Sequence, residues 1–119
     1  MTDLDRLCGV LGSYRYRFAR ERDLRDGIAE ALALRGVSFD REVRLTPEDV
    51  IDFLVAAIGV EVKVEGSPAA ILRQLARYME SSRIAALLLF TRKAQHAHRF
   101  PAELGGKPLR VITLGDAAL

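Results

Sequence analysis

The segment from Ile84 to Thr91 constrains the fold most. Its Ala85-Ala86-Leu87-Leu88-Leu89-Phe90 run contains no polar residue and no alternation, which suits a strand covered on both faces. Such a strand needs layers above and below it, and that selects an α/β architecture with a mixed central sheet. The run is too short to cross a bilayer, as is the interrupted apolar stretch from Ile51 to Val60. Half of the 119 residues are hydrophobic, enough for one core, and one domain over residues 1–119 is expected.

The remaining elements follow from periodicity and punctuation. In residues 1–20, Tyr14, Tyr16 and Phe18 alternate with Arg15 and Arg17 as in a strand, and the stretch equally reads as an arm, a dimerisation segment or the entry to the first helix. From Glu21 to about Arg35 the pattern is helical, with Leu24, Ile28, Ala31 and Leu32 on one stripe and Gly36 as the stop. Val37 to Leu45 reads as a strand with Phe39, Val43 and Leu45 inward. Turn residues Thr46 to Asp49 follow it. Val50–Val55 and Ile58–Val64 form a hairpin about Ala56-Ala57, a turn without the usual glycine, with a bulge at Gly59 as the expected relief. Ser67-Pro68 starts a second helix running to about Glu80 and burying Ile71, Leu75, Tyr78 and Met79. Residues 92–119 supply a loop rich in Arg, His and Gly and a closing strand from Lys107 to Leu114.

The candidate chemistry lies on the hairpin. Glu61 and Lys63 share one face of their strand, about 7 Å apart, opposite Val60, Val62 and Val64. Asp52 interrupts an apolar strand, where a carboxylate is costly unless paired or holding a metal. Strand pairing brings Asp52 opposite or diagonal to Glu61. Two carboxylates suit a hard cation such as Mg²⁺ or Mn²⁺, with water and phosphate oxygens completing its shell. A lysine beside them can orient or deprotonate the attacking water, or neutralise charge on phosphorus.

Asp52, eight residues, then Glu61-Val62-Lys63 resembles the PD-(D/E)XK nuclease superfamily, although Ile51 stands where the family motif has proline. The resemblance covers residues 21–91, the core motif region. It implies a restriction-endonuclease-like core: helix, three-stranded meander, helix, strand. It further implies Asp52 and Glu61 as metal ligands, Lys63 as catalytic base or charge stabiliser, and Glu21 as the acid on the first helix. Glu21 lies within roughly 60° of Leu24 on the inward side, whereas Glu30 falls on the solvated side. Gln74 and Tyr78 resemble the Gln-x-x-x-Tyr motif of the RecB-type branch, in which the glutamine positions the lysine or substrate. Holliday-junction resolvases and small phage-encoded nucleases are among the members of this size.

A net charge of +2 gives no field strong enough to capture nucleic acid, so binding must rest on local basic groups. Arg73, Arg77, Arg92, Lys93 and Lys107 are candidates for a phosphate-contacting rim, and Tyr78 for a substrate contact. His96 and His98 read as solvated or phosphate-facing rather than as ligands. Cys8 is the single cysteine and excludes an internal disulfide and a thiolate cage. It suits a reducing cytoplasm, and the polar start from Met1 to Arg6 carries no secretory signal. The expectation is a cytoplasmic Mg²⁺-dependent deoxyribonuclease with no membrane partner, an endonuclease rather than an exonuclease, and a homodimer as one option. The alternative is a non-catalytic nucleic-acid-binding or structural module on the same fold.

Overall fold

The structure, a computed structural model, describes residues 1–17, 20–92 and 98–114. Phe18, Lys93 and His96 therefore lie outside the described residues. Among the described residues three helices, α1 (Asp3–Gly12), α2 (Glu21–Leu34) and α3 (Pro68–Met79), pack on a mixed six-stranded sheet. Its strands are β1 (Asp40–Arg44), β2 (Val50–Val55), β3 (Ile58–Lys63), β4 (Ala86–Thr91), β5 (Glu103–Leu104) and β6 (Lys107–Thr113), in the order β1-β2-β3-β4-β6-β5. The meander β1-β2-β3 is antiparallel, and β4 runs parallel to both β3 and β6. Every residue of β4 is buried, as its unbroken apolar run requires. No helix among the described residues is long and apolar enough to cross a membrane.

The helix ends follow the local sequence. At α3, Ser67 Oγ accepts from Ala70 N at 3.2 Å and Pro68 fills the first helical position, where no backbone donor is missed. At the end of α2, Gly36 takes φ 69°, Val37 N donates to Leu32 O and Gly36 N donates to Ala33 O. That double bond pattern closes the orphan carbonyls, and the left-handed residue it needs is a glycine.

The amino-terminal segment differs from the arm or strand that its alternating aromatics predict. Thr2 Oγ1 accepts from Asp5 N and Asp5 Oδ2 accepts from Thr2 N, both at 3.1 Å, a reciprocal cap that starts α1. Leu4, Leu7 and Leu11 form its buried stripe. Tyr16 is buried, its hydroxyl donating to Leu11 O and its ring edge-on to Phe90 at 5.8 Å. This part of the proposed dimerisation segment is thus committed to the chain's own core.

Two cores sit on opposite faces of the sheet. Residues Phe53, Val60, Val62 and Phe90 pack with α1 and α2, whereas Ile51, Leu54, Leu87 and Leu89 pack with α3. Ile51 and Phe53 are two apart and would share a face in a regular strand, yet they lie on opposite faces. The alternation breaks at Asp52. On the neighbouring strand it breaks too: Phe39 packs against Phe53, while Val43 and Leu45 join the α3 side. The three positions expected to face inward together are therefore split, and Glu42 between them has φ 52°.

The β2–β3 turn places Ala56 at φ 52°, and Gly59 pairs in register with Leu54. The expected bulge at Gly59 is absent. Glycine is required there for space, because a Cβ would stand 2.4 Å from Ile51 Cδ1 and 2.6 Å from Leu87 Cδ2. Gly59→Ala is expected to destabilise the protein by about 1–3 kcal/mol through overpacking. Glu42→Gly removes left-handed strain of about 1–2 kcal/mol, offset in part by glycine's backbone entropy. A higher urea midpoint for Glu42→Gly and a lower one for Gly59→Ala check both.

Candidate active site

Beyond Phe53–Val60 the regular pairing of β2 with β3 ends, and two carboxylates take over the hydrogen bonding. Asp52 N donates to Glu61 Oε1 at 3.0 Å, and Val62 N donates to Asp52 Oδ2 at 2.9 Å. Each acid thus accepts a backbone amide of the other's strand, so the strands part without orphaning buried donors. Lys63 follows on β3, its Nζ 3.5 Å from Glu61 Oε2. Asp52, Glu61 and Lys63 are brought together as their spacing predicts.

The helices supply the walls. Glu21 opens α2, and its Oε1 accepts from Val64 N at 3.0 Å just beyond β3. Its Oε2 accepts from Arg25 Nη1 at 3.0 Å, and Arg25 Nε lies 4.0 Å from Asp52 Oδ1. Arg25 did not figure among the expected site residues, although the Glu21–Arg25 spacing of one helical turn is a legible ion-pair signal. From α3, Gln74 Nε2 donates to Tyr78 Oη at 2.7 Å, and that hydroxyl donates to Glu61 Oε2 at 2.8 Å. Gln74 therefore reaches Glu61 through Tyr78, and Glu61 in turn lies 3.5 Å from Lys63, the residue that the resemblance has the glutamine position. Tyr78 is wholly buried, so it supports the site from beneath and presents no surface to a substrate.

The basic rim is only partly available. Arg77 makes a two-pronged ion pair with Asp49, Nε and Nη2 reaching Oδ1 at 3.2 and 3.1 Å. Asp49, read from sequence as a turn residue, is buried. Lys107 Nζ donates to Met79 O and Ser81 O, closing the carboxyl end of α3 instead of joining a rim. Arg73 is exposed and Arg92 half-buried. His98 is exposed.

Burial and mutual repulsion disfavour ionisation of the acidic pair. Glu61, 2% exposed, is pushed up to about 8, first by burial and then by the Asp52 charge. Asp52 is also raised, by burial above all, with the Val62 amide and Arg25 opposing the shift. Two carboxylates in this state suit a hard divalent cation, which would replace the missing positive charge. No group of three His, Cys, Asp or Glu side chains able to hold a metal occurs among the described residues. Asp52 and Glu61 each bond the other's strand, and Glu21, the third expected ligand, is tied to Val64 N and Arg25. A cation here would depend on water and substrate oxygens for the rest of its shell. A cavity of about 500 Å³ lined by Leu4, Leu7, Val55 and Ile58 opens at the start of β3 and contains none of these groups.

No protein-family model, curated protein or solved structure matches this chain.

Because Glu61 moves from 4.5 to about 8 on folding, the folded chain holds a proton between those values that the unfolded chain has released. Metal-free stability should fall as pH rises through that window, by up to about 1.4 kcal/mol per pH unit. Glu61→Gln mimics the protonated acid and is expected to flatten the slope. Urea unfolding in EDTA from pH 5 to pH 8.5 measures it. A slope unchanged from wild type would show that Glu61 does not carry it.

Proposed function

We propose that this chain is a Mg²⁺-dependent nuclease that hydrolyses phosphodiester bonds in DNA, on a restriction-endonuclease-like core. The supporting observation is the contact set at the parting of β2 and β3, where Asp52 and Glu61 exchange backbone amides and Lys63 stands 3.5 Å from Glu61. The order α2-β1-β2-β3-α3-β4 agrees with the PD-(D/E)XK resemblance of residues 21–91. A buried acidic pair without a full counter-charge is costly to stability alone, and a metal-dependent reaction gives it a use.

The bound cation would polarise the scissile phosphate and lower the pKa of water. Asp52 and Glu61 would hold it, since each has an oxygen that is not bonded to a backbone amide. Tyr78 and Gln74 fix the Glu61 carboxylate from below, so its geometry does not rest on a loose surface rotamer. Lys63 would take the proton of the attacking water or stabilise charge on the phosphoryl oxygens. Water oxygen would bond to phosphorus and give up a proton to Lys63 or to solvent water, the phosphorus–oxygen ester bond would break, and the departing alkoxide would take a proton from solvent water. The exposed Arg73 and the half-buried Arg92 are the described basic residues proposed to contact the strand beside the cleft.

A panel of linear duplex, branched and single-stranded DNAs, incubated with Mg²⁺ or Mn²⁺, tests the activity. Asp52→Ala and Lys63→Ala are each expected to reduce cleavage at least about 100-fold, the range for loss of a group used in the transition state. Cleavage by either variant at the wild-type rate would overturn the assignment. DNA binding without cleavage of any substrate would favour a non-catalytic binding module.

A further inference from the structure

Arg25 spans two of the three acids of the cleft, Glu21 and Asp52. Glu21 and Asp52 are arranged alike around it. Each has one oxygen tied to a backbone amide of the β3 segment, Glu21 Oε1 to Val64 N and Asp52 Oδ2 to Val62 N. The other oxygen of each lies toward the guanidinium, Glu21 Oε2 at 3.0 Å from Nη1 and Asp52 Oδ1 at 4.0 Å from Nε. The planar guanidinium carries several N–H donors, so one group can serve both acids and can also serve another anion if it moves.

We propose that Arg25 is a tethered counter-cation that competes with the divalent metal for Asp52 and, once displaced, binds the phosphate of the substrate strand. The inference rests on the metal-dependent reading above. Metal and guanidinium cannot share Asp52 Oδ1 without strong repulsion between like charges at short range. Displacement is feasible because the Arg25 side chain is 29% exposed and keeps its ion pair with Glu21 as an anchor one helical turn away. The planar fork then meets a ligand it fits well, since a phosphate offers two oxygens to parallel N–H donors. Arg25 would thereby couple the two binding events. Metal frees the phosphate ligand, and a phosphate that engages Arg25 removes the competitor for the metal site.

Direct Mn²⁺ titration of the DNA-free protein at pH 8.5 and low salt, read from the electron paramagnetic resonance of free Mn²⁺, tests this apart from catalysis. Arg25→Gln, which keeps most of the side chain and removes the charge, is expected to bind Mn²⁺ about tenfold more tightly than wild type, and the gap should narrow as salt is added. Arg25→Lys retains a charge and should titrate near wild type, which separates charge from packing. In Ca²⁺, Arg25→Gln should bind duplex DNA about tenfold more weakly, as for a lost charge-assisted phosphate contact. Equal or weaker Mn²⁺ binding by Arg25→Gln overturns the competition, and unchanged DNA affinity overturns the transfer to phosphate. Mn²⁺ binding by neither wild type nor Arg25→Gln would instead remove the metal-dependent reading itself.

Discussion

The exchange of backbone amides between Asp52 and Glu61 organises this fold as much as its candidate site. Two adjacent strands can separate only if the donors and acceptors released from their ladder find other partners. Here Glu61 Oε1 takes the Asp52 amide and Asp52 Oδ2 takes the Val62 amide. The side chains thus do the work of the ladder at the point where it ends. The same two residues set the face assignment, because β2 changes from the α3 side at Ile51 to the α2 side at Phe53 across Asp52. Glu42, opposite Asp52 in the register of β1 with β2, makes the matching change with a left-handed backbone.

The cost of that arrangement is charge burial, and α3 reduces it. Tyr78 has one hydroxyl proton and two acceptors within reach, Glu61 Oε2 at 2.8 Å and Val50 O at 3.1 Å. With Glu61 ionised the proton serves the carboxylate. With Glu61 protonated the hydroxyl is free to turn to Val50 O, while Gln74 continues to donate to the tyrosine oxygen. A network that stays satisfied in both protonation states tolerates a buried carboxyl group pushed up to about 8. No buried side-chain polar atom among the described residues lacks a partner. The acids are therefore electrostatically strained and yet leave no buried polar atom without a partner, and Asp52 Oδ1, 4.0 Å from Arg25 Nε, is held by charge alone.

How much of this was legible in sequence depends on the range of the interaction. The capped α3, the buried β4 and the shared face of Glu61 and Lys63 follow from local spacing, and the structure has them. Helix α1 was hidden because Gly9 and Gly12 lower helix propensity, and because the Tyr14–Phe18 alternation gave a competing signal. The split of Phe39 from Val43 could not be read, since positive φ at a glutamate has no sequence signature. The Asp49–Arg77 pair joins residues 28 apart, so neither local pattern indicates the other. Arg25 was within reach of the i,i+4 rule from Glu21, but its approach to Asp52 is tertiary.

This division also explains why the site residues are better specified than their surroundings. Asp52, Glu61 and Glu21 each bond a backbone amide of the opposing segment, so their positions follow from the chain path and not from side-chain packing alone. Lys63 and Arg25 reach the acids through charge, at 3.5 and 4.0 Å to Glu61 and Asp52, and both side chains keep about a quarter or more of their surface exposed. The acidic framework is built into the backbone, whereas the basic groups are held by forces that a bound cation or phosphate would alter directly. Rearrangement on binding of the proposed cation or phosphate would therefore fall on the lysine and the arginine, with the carboxylates staying where β2 and β3 put them.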